Sequence, residues 1–529
     1  MIPVVGETPS TPQPVAGEHH LRRDISVWGS FMWGFADVGA DIYVALGIVI
    51  AATMGAAPLA FAAAGVVYIM IGLAYTELAA AYPVAGGGQY FVSRGLGDMA
   101  GFIAGSALLL DYTIDIALFA TFSAGYLNFF FPAVQHFKAN FGPFHGLNPL
   151  WAGETFVLII VLTWLNVRGV RESSFLNEVV GVFGLVVEAG LILIGLIFAW
   201  NPELLVDQWV HQFPTFHQFM YGSSLAIISY VGLESISQAA QETRRPATVI
   251  PRTSIGLIGS VFLFAVFFSI TGLGVLPWQA YAKDVGDSVA LFGSRLPFVG
   301  PIAGPLAAAL GAVILLISAN TGVMGASRLV YSMSQLKLLT PWFQDVHPRY
   351  RTPARAILVF SGIGLLEAML AFLTPSAVDV LANMYAFGAT LGYTLVFIAL
   401  IALRFKDPYS PRPYRVPLNV RWRARGETAV EIPIVGILGL IGIVITLIEV
   451  VLTHAIGRIA GPTWVLLGLG YYAWFRRRQN LPVTRSVSHA WEEQQRRILR
   501  HAEEYDLLER YEIVLAQRDR DIARKQQRA

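Results

Sequence analysis

The feature that most limits the fold of this sequence is a series of apolar runs, each about twenty residues long and nearly free of charge. The 529 residues are 55% hydrophobic and 14% charged, whereas soluble domains are about 25% charged. An α-helix rises about 1.5 Å per residue, so each run is long enough to cross the ~30 Å hydrocarbon core of a bilayer. The sequence therefore predicts an all-α membrane protein.

Twelve runs of this kind give twelve predicted transmembrane helices, with boundaries approximate to a few residues. In chain order they are residues 27–54, 58–81, 98–127, 150–168, 175–200, 217–240, 253–277, 300–334, 355–373, 377–403, 431–453 and 458–475. Residues 1–24 are polar and contain proline but no apolar core. For this segment we expect a disordered cytoplasmic N-terminus and no cleavable signal peptide.

The basic residues predict the orientation of these helices. With the N-terminus inside, the external loops hold only Lys138, Lys283, Arg295 and Arg458, and the other lysines and arginines fall on the inner side or at inner helix ends. Basic loops are retained in the cytoplasm. We therefore expect a multi-pass plasma-membrane protein with both termini in the cytoplasm.

Composition and motifs argue against other classes of protein. The chain has no cysteine, which excludes disulfides, thiolate metal sites and cysteine catalysis. Its net charge of +2 is too small to indicate a nucleic-acid partner. It has no phosphate-binding loop, no His-Glu-x-x-His zinc motif and no credible catalytic triad. We predict that the protein is not an enzyme and uses no cofactor or resident metal.

Two of the predicted helices share an unusual local string. Residues 38–41 read VGAD and residues 231–234 read VGLE, so each places a glycine and an acid in the middle of an apolar span. Glycine-interrupted helices at corresponding positions of two halves indicate the central site of a transporter, where unwound backbone lines a cavity. Close helix packing at glycine is the alternative explanation, but it does not account for the paired acids.

This string suggests two repeats of five helices each, with opposite orientation in the membrane. We expect a first repeat at 25–203, a second, inverted repeat at 217–403, and a cytoplasmic loop with helices eleven and twelve at 404–475. A polar cytoplasmic tail follows at 476–529. Residues 489–529 have the pattern of an amphipathic helix. We favour a solvated helix lying near the membrane, with a regulatory or partner-binding role as the alternative.

Ionisable residues inside membrane spans are costly and indicate function. Here they are nearly all acidic, and no lysine lies at the centre of a span; the acids are Asp37, Asp41, Asp111, Asp115, Glu188, Glu234 and Glu367. Carboxylates without a fixed cation must carry protons, reach water or receive a cation from outside. Asp111 and Asp115 are four residues apart and share one helix face, so they are candidates to carry a coupling proton.

Tyrosines accompany these acids along the sequence. Tyr43 follows Asp41, Tyr112 adjoins Asp111, Tyr230 precedes the second glycine, and Tyr385 lies in helix ten. The ring face and hydroxyl of tyrosine suit an ammonium group or a desolvated cation. For any single tyrosine, packing in the protein core is the alternative role.

Four segments resemble the amino acid–polyamine–organocation (APC) superfamily of permeases. They are YTEL at 75–78 with YPVAGGGQY at 82–90, GLE at 232–234 running through ETRRP at 242–246 to IPR at 250–252, GASR at 325–328 with HPRYRTP at 347–353, and RPYRVP at 412–417. Their order and spacing extend over residues 25–475.

The resemblance implies a leucine-transporter-like fold, with two inverted five-helix repeats plus two extra helices, and alternating access at a midplane site. In such permeases the broken backbone of helix one holds the substrate carboxylate, and carbonyls of helix six hold its amine. Carried onto this sequence, these segments are Asp37, Val38, Gly39 and Ala40 in helix one and Ser229, Tyr230, Val231 and Gly232 in helix six. Glu234 occupies the acidic position just past the second break.

The chain departs from the family pattern in ways that bear on substrate and coupling. Two aspartates lie in helix one, where an acid repels a substrate carboxylate and attracts an amine. Gly184 stands where many proton-coupled members carry a lysine, with Glu188 one turn on. A sodium site formed by helix-one carbonyls and helix-eight hydroxyls would use Ser318 or Thr321.

A second resemblance within the same superfamily points to potassium-uptake permeases. Their acid–tyrosine pair in helix three matches LDYT at 110–113, which also resembles cationic amino acid permeases. Other positions that fit are Asp37, Tyr43, Glu234 and Tyr385. Val231 stands where the potassium group has threonine, and RPYRVP belongs to the amino acid side.

We therefore predict a proton- or cation-coupled secondary transporter for amino acids, polyamines or related amines. Asp37 and Asp41 would attract the amine, Glu234 would link site occupancy to gating, and Asp111 with Asp115 would handle protons. The partners expected are an amine or cation substrate, membrane lipid, and a coupling proton or sodium ion. A potassium/proton symporter is one alternative, and a non-transporting sensor that signals through the tail is another.

Overall fold

The computed structural model describes residues 27–84, 86–141, 144–169, 174–232, 234, 237, 243, 245–422 and 430–528. Ten helices precede the second glycine break: α1 Val27–Val38, α2 Asp41–Thr53, α3 Ala57–Ala81, α4 Gly87–Leu96, α5 Asp98–Asn128, α6 Pro132–Gln135, α7 Pro149–Arg168, α8 Ser174–Ile194, α9 Pro202–His211 and α10 Phe216–Leu225. Ten helices whose bounds lie within the described residues follow it: α11 Pro246–Val275, α12 Trp278–Lys283, α13 Ser288–Ser294, α14 Gly300–Gln335, α15 Ala354–Ala371, α16 Ala377–Lys406, α17 Ile434–Thr453, α18 Gly457–Arg478, α19 Trp491–His501 and α20 Tyr505–Arg528.

Short irregular turns and two hairpins complete the described part of the chain. The tight turns are Met54–Ala56, Ala226–Tyr230, Val285–Asp287 and Pro341–Gln344, and a wide π-helical turn covers Gly195–Ala199. Strands β1 (Ala139–Phe141) and β2 (Phe144–Leu147) form one antiparallel hairpin, and β3 (Asn419–Trp422) and β4 (Val430–Pro433) form the other.

Nine segments of the described chain are long and apolar enough to cross a membrane, which supports an all-α membrane protein. One of them, Val27–Ala81, is 55 residues long and contains the first two predicted spans. The predicted sixth span is described as regular helix only as far as Tyr230, and α18 is not among the nine. The number twelve and the inverted repeat therefore stay predictions.

The ends of several helices follow from local sequence. Asn148 caps α7, where its side chain accepts a hydrogen bond from the backbone N–H of Trp151, and Gly169 ends this helix in the left-handed conformation. Helix α11 begins at Pro246, earlier than the predicted 253. Proline is tolerated in the first turn of a helix because its missing N–H has no partner there, so the proline-rich segment joins the helix instead of preceding it.

Helix α5 lies at the centre of the bundle. It packs most extensively against α14 and α16. Of its most apolar stretch 94% is buried, compared with 22% in α7 and 28% in the span Asn177–Ala199, which overlaps α8. The outer helices expose large apolar side chains such as Ile160, Val186 and Leu193. In a bilayer these side chains face lipid at no hydrophobic cost.

A buried ion pair joins two of the sequence motifs described above. Arg404 donates from Nε and Nη2 to the two carboxylate oxygens of Glu77, at 2.6 and 2.5 Å. The Nε of Arg412 lies 3.4 Å from the same carboxylate, and the backbone N–H of Val416 donates to it at 2.8 Å. This network fastens the C-terminal part of α3 to the end of α16 and the segment that follows it.

The C-terminal tail differs from the solvated helix that we favoured. It forms two helices, α19 and α20, and it docks against α3, α4 and the start of α5. Gln495 is fully buried; its amide donates to the Ala81 carbonyl at 2.9 Å and accepts from Arg94 at 3.1 Å. Leu499 and Tyr511 are each 1% exposed. The tail is therefore held by apolar burial and by specific hydrogen bonds.

Candidate functional site

The first membrane helix is interrupted at Gly39 and Ala40, between α1 and α2. The backbone hydrogen bonds here span three residues instead of four. The Ala40 N–H donates to the Asp37 carbonyl, and the Tyr43 N–H donates to the Ala40 carbonyl. A Cβ atom on Gly39 would lie 2.4 Å from the Phe35 carbonyl oxygen, which is too close for any other residue without movement. The predicted break in this helix is therefore present.

The second break follows Tyr230. The helix tightens into a 3₁₀ turn at Ala226–Tyr230, Val231 is extended, and Gly232 has a φ of +101°. A non-glycine residue rarely adopts such a φ. A Cβ atom built on Gly232 would lie 3.2 Å from the Asp37 Oδ2 atom. The two breaks, 193 residues apart in sequence, thus lie side by side.

Two of the predicted acids meet at this junction. Asp111 of α5 and Glu234 are both buried, and their carboxyl groups interact electrostatically with each other. The Tyr393 hydroxyl donates to Glu234 Oε2 at 2.8 Å. Two neighbouring carboxylates repel each other, and a buried pair is more stable when one of them carries a proton. The arrangement is therefore suited to holding a proton.

Three more acids surround this pair. Asp37, Asp41 and Asp115 are 9%, 2% and 8% exposed, and Asp41 interacts electrostatically with Asp37, Asp115 and Glu234. Tyr385 hydrogen-bonds to the Asp115 carboxyl group. In the described part of the chain, no ion pair with a basic side chain is found for Asp41, Asp111, Asp115 or Glu234. The five carboxyls form a buried acidic cluster at the two breaks.

Ser318 of α14 faces the backbone of the first break. Its hydroxyl lies 3.4 Å from the Ala36 carbonyl oxygen, 3.5 Å from that of Asp37 and 3.3 Å from that of Ile314. One hydroxyl proton serves only one of these oxygens well. Thr321 instead bonds the Ile317 carbonyl of its own helix. Of the two predicted hydroxyls, Ser318 is the one in contact with helix-one carbonyls.

Other predicted residues lie beside the cluster in different roles. The Tyr230 ring stacks on Tyr68 at 4.8 Å and its hydroxyl donates to the Phe61 carbonyl, so this tyrosine anchors α3. Ser229 bonds the Ala226 carbonyl within its own turn. Val38, Ala40 and Tyr112 are buried at the junction.

Tyr43 and Glu188 interact with each other. Tyr43 packs edge-on against Tyr126, whose hydroxyl donates to the Tyr43 carbonyl at 2.9 Å. Glu188 is fully buried near Tyr43, and neither of its oxygens has a hydrogen-bond partner among the described residues. Glu188 is thus a buried acid separate from the five-carboxyl cluster.

Sequence reasoning missed two tyrosines that contact the acids. Tyr393 follows Tyr385 by eight residues on α16, which places both on one helix face, and this spacing was a usable signal. Tyr75 lies in the YTEL motif, packs edge-on against Tyr393 at 5.8 Å, and interacts electrostatically with Glu234 and Asp111. Its place could be known only once α3 and α16 were brought together.

Comparison with known proteins identifies what this chain resembles. A family model described as amino acid permease matches residues 25–471. The branched-chain amino acid permease BcaP of Bacillus subtilis (strain 168) is 25% identical over 416 residues, 76% of this chain and 85% of that protein. The methylthioribose transporter of the same organism is 28% identical over 411 residues, 75% of this chain and 84% of that protein.

Cationic amino acid transporters form another group of relatives. Cationic amino acid transporter 5 of Arabidopsis thaliana is 28% identical over 399 residues, which are 73% of this chain and 66% of that protein. The family match begins just before α1 and ends within α18. It therefore includes both helix breaks and the acidic cluster.

Proposed function

This chain belongs to the amino acid permease family and is a membrane transporter, not an enzyme, and we propose that it is a secondary active transporter of amino acids or related amines. The substrate would bind between the breaks at Gly39 and Gly232 and be reached alternately from the two sides of the membrane. Both termini would be cytoplasmic. The observation that carries the proposal is the buried acidic cluster at the two breaks.

The cluster favours the amine end of a substrate. An isolated carboxylate in a low-dielectric site is costly, and an entering ammonium group offsets that cost. The N-terminus of α2 would attract a substrate carboxylate, but Asp41 already places a carboxyl group there. We therefore assign substrate amine binding to Asp37 and Asp41, with Glu234 across the junction.

The relatives are consistent with a ligand of this kind. These relatives include a branched-chain amino acid permease and cationic amino acid transporters. Both substrate classes carry an α-ammonium group, which is the part of the ligand that an acidic cluster recognises. The cationic class adds a second positive charge, and the excess of acids over bases favours it.

The coupling ion proposed is a proton. Asp111 and Glu234 are buried carboxyl groups that repel each other when both are charged, and the Tyr393 hydroxyl holds Glu234 in that position. A substrate amine that approaches Glu234 would stabilise the charged form of its carboxyl group and release the proton bound there. Occupancy of the substrate site would thus be linked to proton movement. A sodium ion held by Ser318 with the Ala36 and Asp37 carbonyls is the alternative, since carbonyl and hydroxyl oxygens bind hard cations.

The decisive experiment is uptake by purified full-length protein in proteoliposomes. Lysine, leucine, putrescine and potassium are tested at two pH values, with and without a sodium gradient. We expect pH-driven uptake of an amino acid or amine, abolished by Asp37→Asn and uncoupled from protons by Asp111→Asn. Asp207→Asn, at an exposed aspartate on α9, is the matched control.

Other outcomes separate the rival functions. Potassium uptake without uptake of any amine would replace the proposal with a potassium/proton symporter. A requirement for sodium at constant pH would replace the coupling ion alone. Binding without uptake of any compound would favour a sensor.

A further inference from the structure

The segment between α16 and α17 forms a cavity away from the acidic cluster. The cavity has a volume of about 300 Å³. Its lining consists of Arg404, Pro408, Arg412, Arg415, Arg421, Val430 and Glu431. Four guanidinium groups therefore surround one small space at the end of two candidate membrane spans, and we call it the arginine pocket.

The carboxylates near the pocket do not balance its arginines. Glu77 forms ion pairs with Arg404 and Arg412. The carboxylate of Glu431 lies 2.5 Å from Arg415, 3.3 Å from Arg421 and 3.6 Å from the Nη1 atom of Arg404. Among the described residues around the pocket, four positive groups share two negative ones. An added anion would find a site with net positive charge, and buried guanidinium groups already oriented by hydrogen bonds.

The pocket has two buried arginines and two exposed ones. The side chains of Arg404 and Arg412 are 4% and 5% exposed, and Arg412 also donates to the Leu403 and Asp407 carbonyls. Arg415 and Arg421 are 51% and 82% exposed. A ligand can therefore recruit the outer pair of guanidinium groups without disturbing the buried network.

The hairpin beside the pocket presents an apolar face. Val420 and Trp422 alternate along β3, so they lie on one face, and they are 53% and 50% exposed. Strand β3 contacts α17, and β4 contacts α16, so the hairpin lies against the ends of two candidate spans. Exposed tryptophan next to membrane helices is typical of the lipid–water interface.

We propose that the arginine pocket binds the phosphate of an anionic phospholipid, with the apolar face of the hairpin resting on its acyl region. A phosphodiester offers several anionic oxygens to a fork of guanidinium groups, and basic pockets beside membrane helices suit such headgroups. A soluble phosphate would use the same arginines but would gain nothing from Val420 and Trp422. The apolar face is what favours the lipid.

The test measures lipid binding by the full-length protein in detergent, using native mass spectrometry and the thermal unfolding midpoint. Phosphatidylglycerol is compared with phosphatidylcholine, and inorganic phosphate and glycerol phosphate form the soluble arm. The double variant R415Q/R421Q removes the two exposed guanidinium groups of the pocket. The matched control, R497Q/R520Q, changes two exposed arginines of the tail. We expect phosphatidylglycerol to bind wild type and control equally, and the double variant roughly 30-fold more weakly, at about fivefold per arginine.

A second variant tests the apolar contribution. Trp422→Gln should weaken phosphatidylglycerol binding and leave the effect of inorganic phosphate unchanged. Equal retention of phosphatidylglycerol by wild type and R415Q/R421Q would overturn the proposal, as would equal stabilisation by inorganic phosphate or glycerol phosphate. The result is independent of whether the protein transports amines, because none of the substituted residues touches the acidic cluster.

Discussion

The Tyr393 hydroxyl donates a hydrogen bond of 2.8 Å to the carboxylate of Glu234, 159 residues away in the sequence. Both residues are buried, and Glu234 in turn lies against Asp111. This contact joins the segment after the second helix break to α16. It gives the proposed coupling acid a fixed position beside the substrate site.

Removing this hydrogen bond should impair transport. A hydrogen bond to a charged group contributes about 1.5–3 kcal/mol, so we expect Tyr393→Phe to reduce uptake efficiency roughly 10- to 150-fold. Initial uptake rates in proteoliposomes measure the effect. Tyr281→Phe is the matched control, because the buried Tyr281 hydroxyl has no hydrogen-bond partner among the described residues. Equal losses in both variants would mean that the Tyr393 contact has no special role.

A side chain at Gly232 should disrupt the junction of the two breaks. The φ of +101° disfavours any residue with a Cβ atom by at least about 1–2 kcal/mol, and the added methyl would lie 3.2 Å from both Asp37 and Val38. We expect Gly232→Ala to lower the unfolding midpoint and to abolish uptake. Gly190→Ala in α8 is the control, because a Cβ atom there meets nothing within 4 Å. A variant as active as wild type would show that the break tolerates a side chain.

The ion pair between Glu77 and Arg404 should contribute strongly to stability. Removing one partner of a buried pair costs about 3–5 kcal/mol, because the remaining charge stays buried without compensation. We expect Glu77→Gln to lower the thermal unfolding midpoint in detergent by several degrees. Glu493→Gln removes an exposed pair with Arg497 on α19 and should change it little. Similar midpoints for the two variants would contradict this account.

The docked tail should depend on Gln495. Its amide bridges the Ala81 carbonyl and Arg94 from a fully buried position. We expect Gln495→Ala to expose the tail and to speed its cleavage by trypsin several-fold. The exposed Gln517 provides the control substitution Gln517→Ala. Unchanged cleavage in Gln495→Ala would show that apolar contacts alone hold the tail.

The loop residue Asp287 should make stability depend on pH. Burial, with a smaller contribution from Asp284, raises the pKa of Asp287 to about 7 from its ordinary value of 3.8. The folded protein therefore binds this proton more tightly than the unfolded chain, so stability from this group is greatest below about pH 4 and falls as the pH rises to about 7. Asp287→Asn should flatten the unfolding midpoint over that range. Asp207→Asn, at an exposed position, should leave the slope unchanged.

Local patterns were sufficient to predict the class of protein and the position of the helix breaks. Apolar runs identify membrane helices because, in lipid, the backbone N–H and C=O groups of each run must form hydrogen bonds with one another. The glycine and acid in each of two spans located the interruptions at Gly39 and Gly232, and the same pattern selected Asp41 and Glu234. These features are encoded within a few residues of one another.

The sequence alone determined that this chain is a helical membrane protein with two acid-bearing breaks, because helix periodicity and backbone satisfaction are local properties. Only the tertiary structure decided that Tyr393 holds Glu234, that Arg404 pairs with Glu77 at a separation of 327 residues, and that the tail docks through Gln495. Contacts across such distances depend on how all the helices pack together. No pattern within one segment specifies which buried partner it will meet.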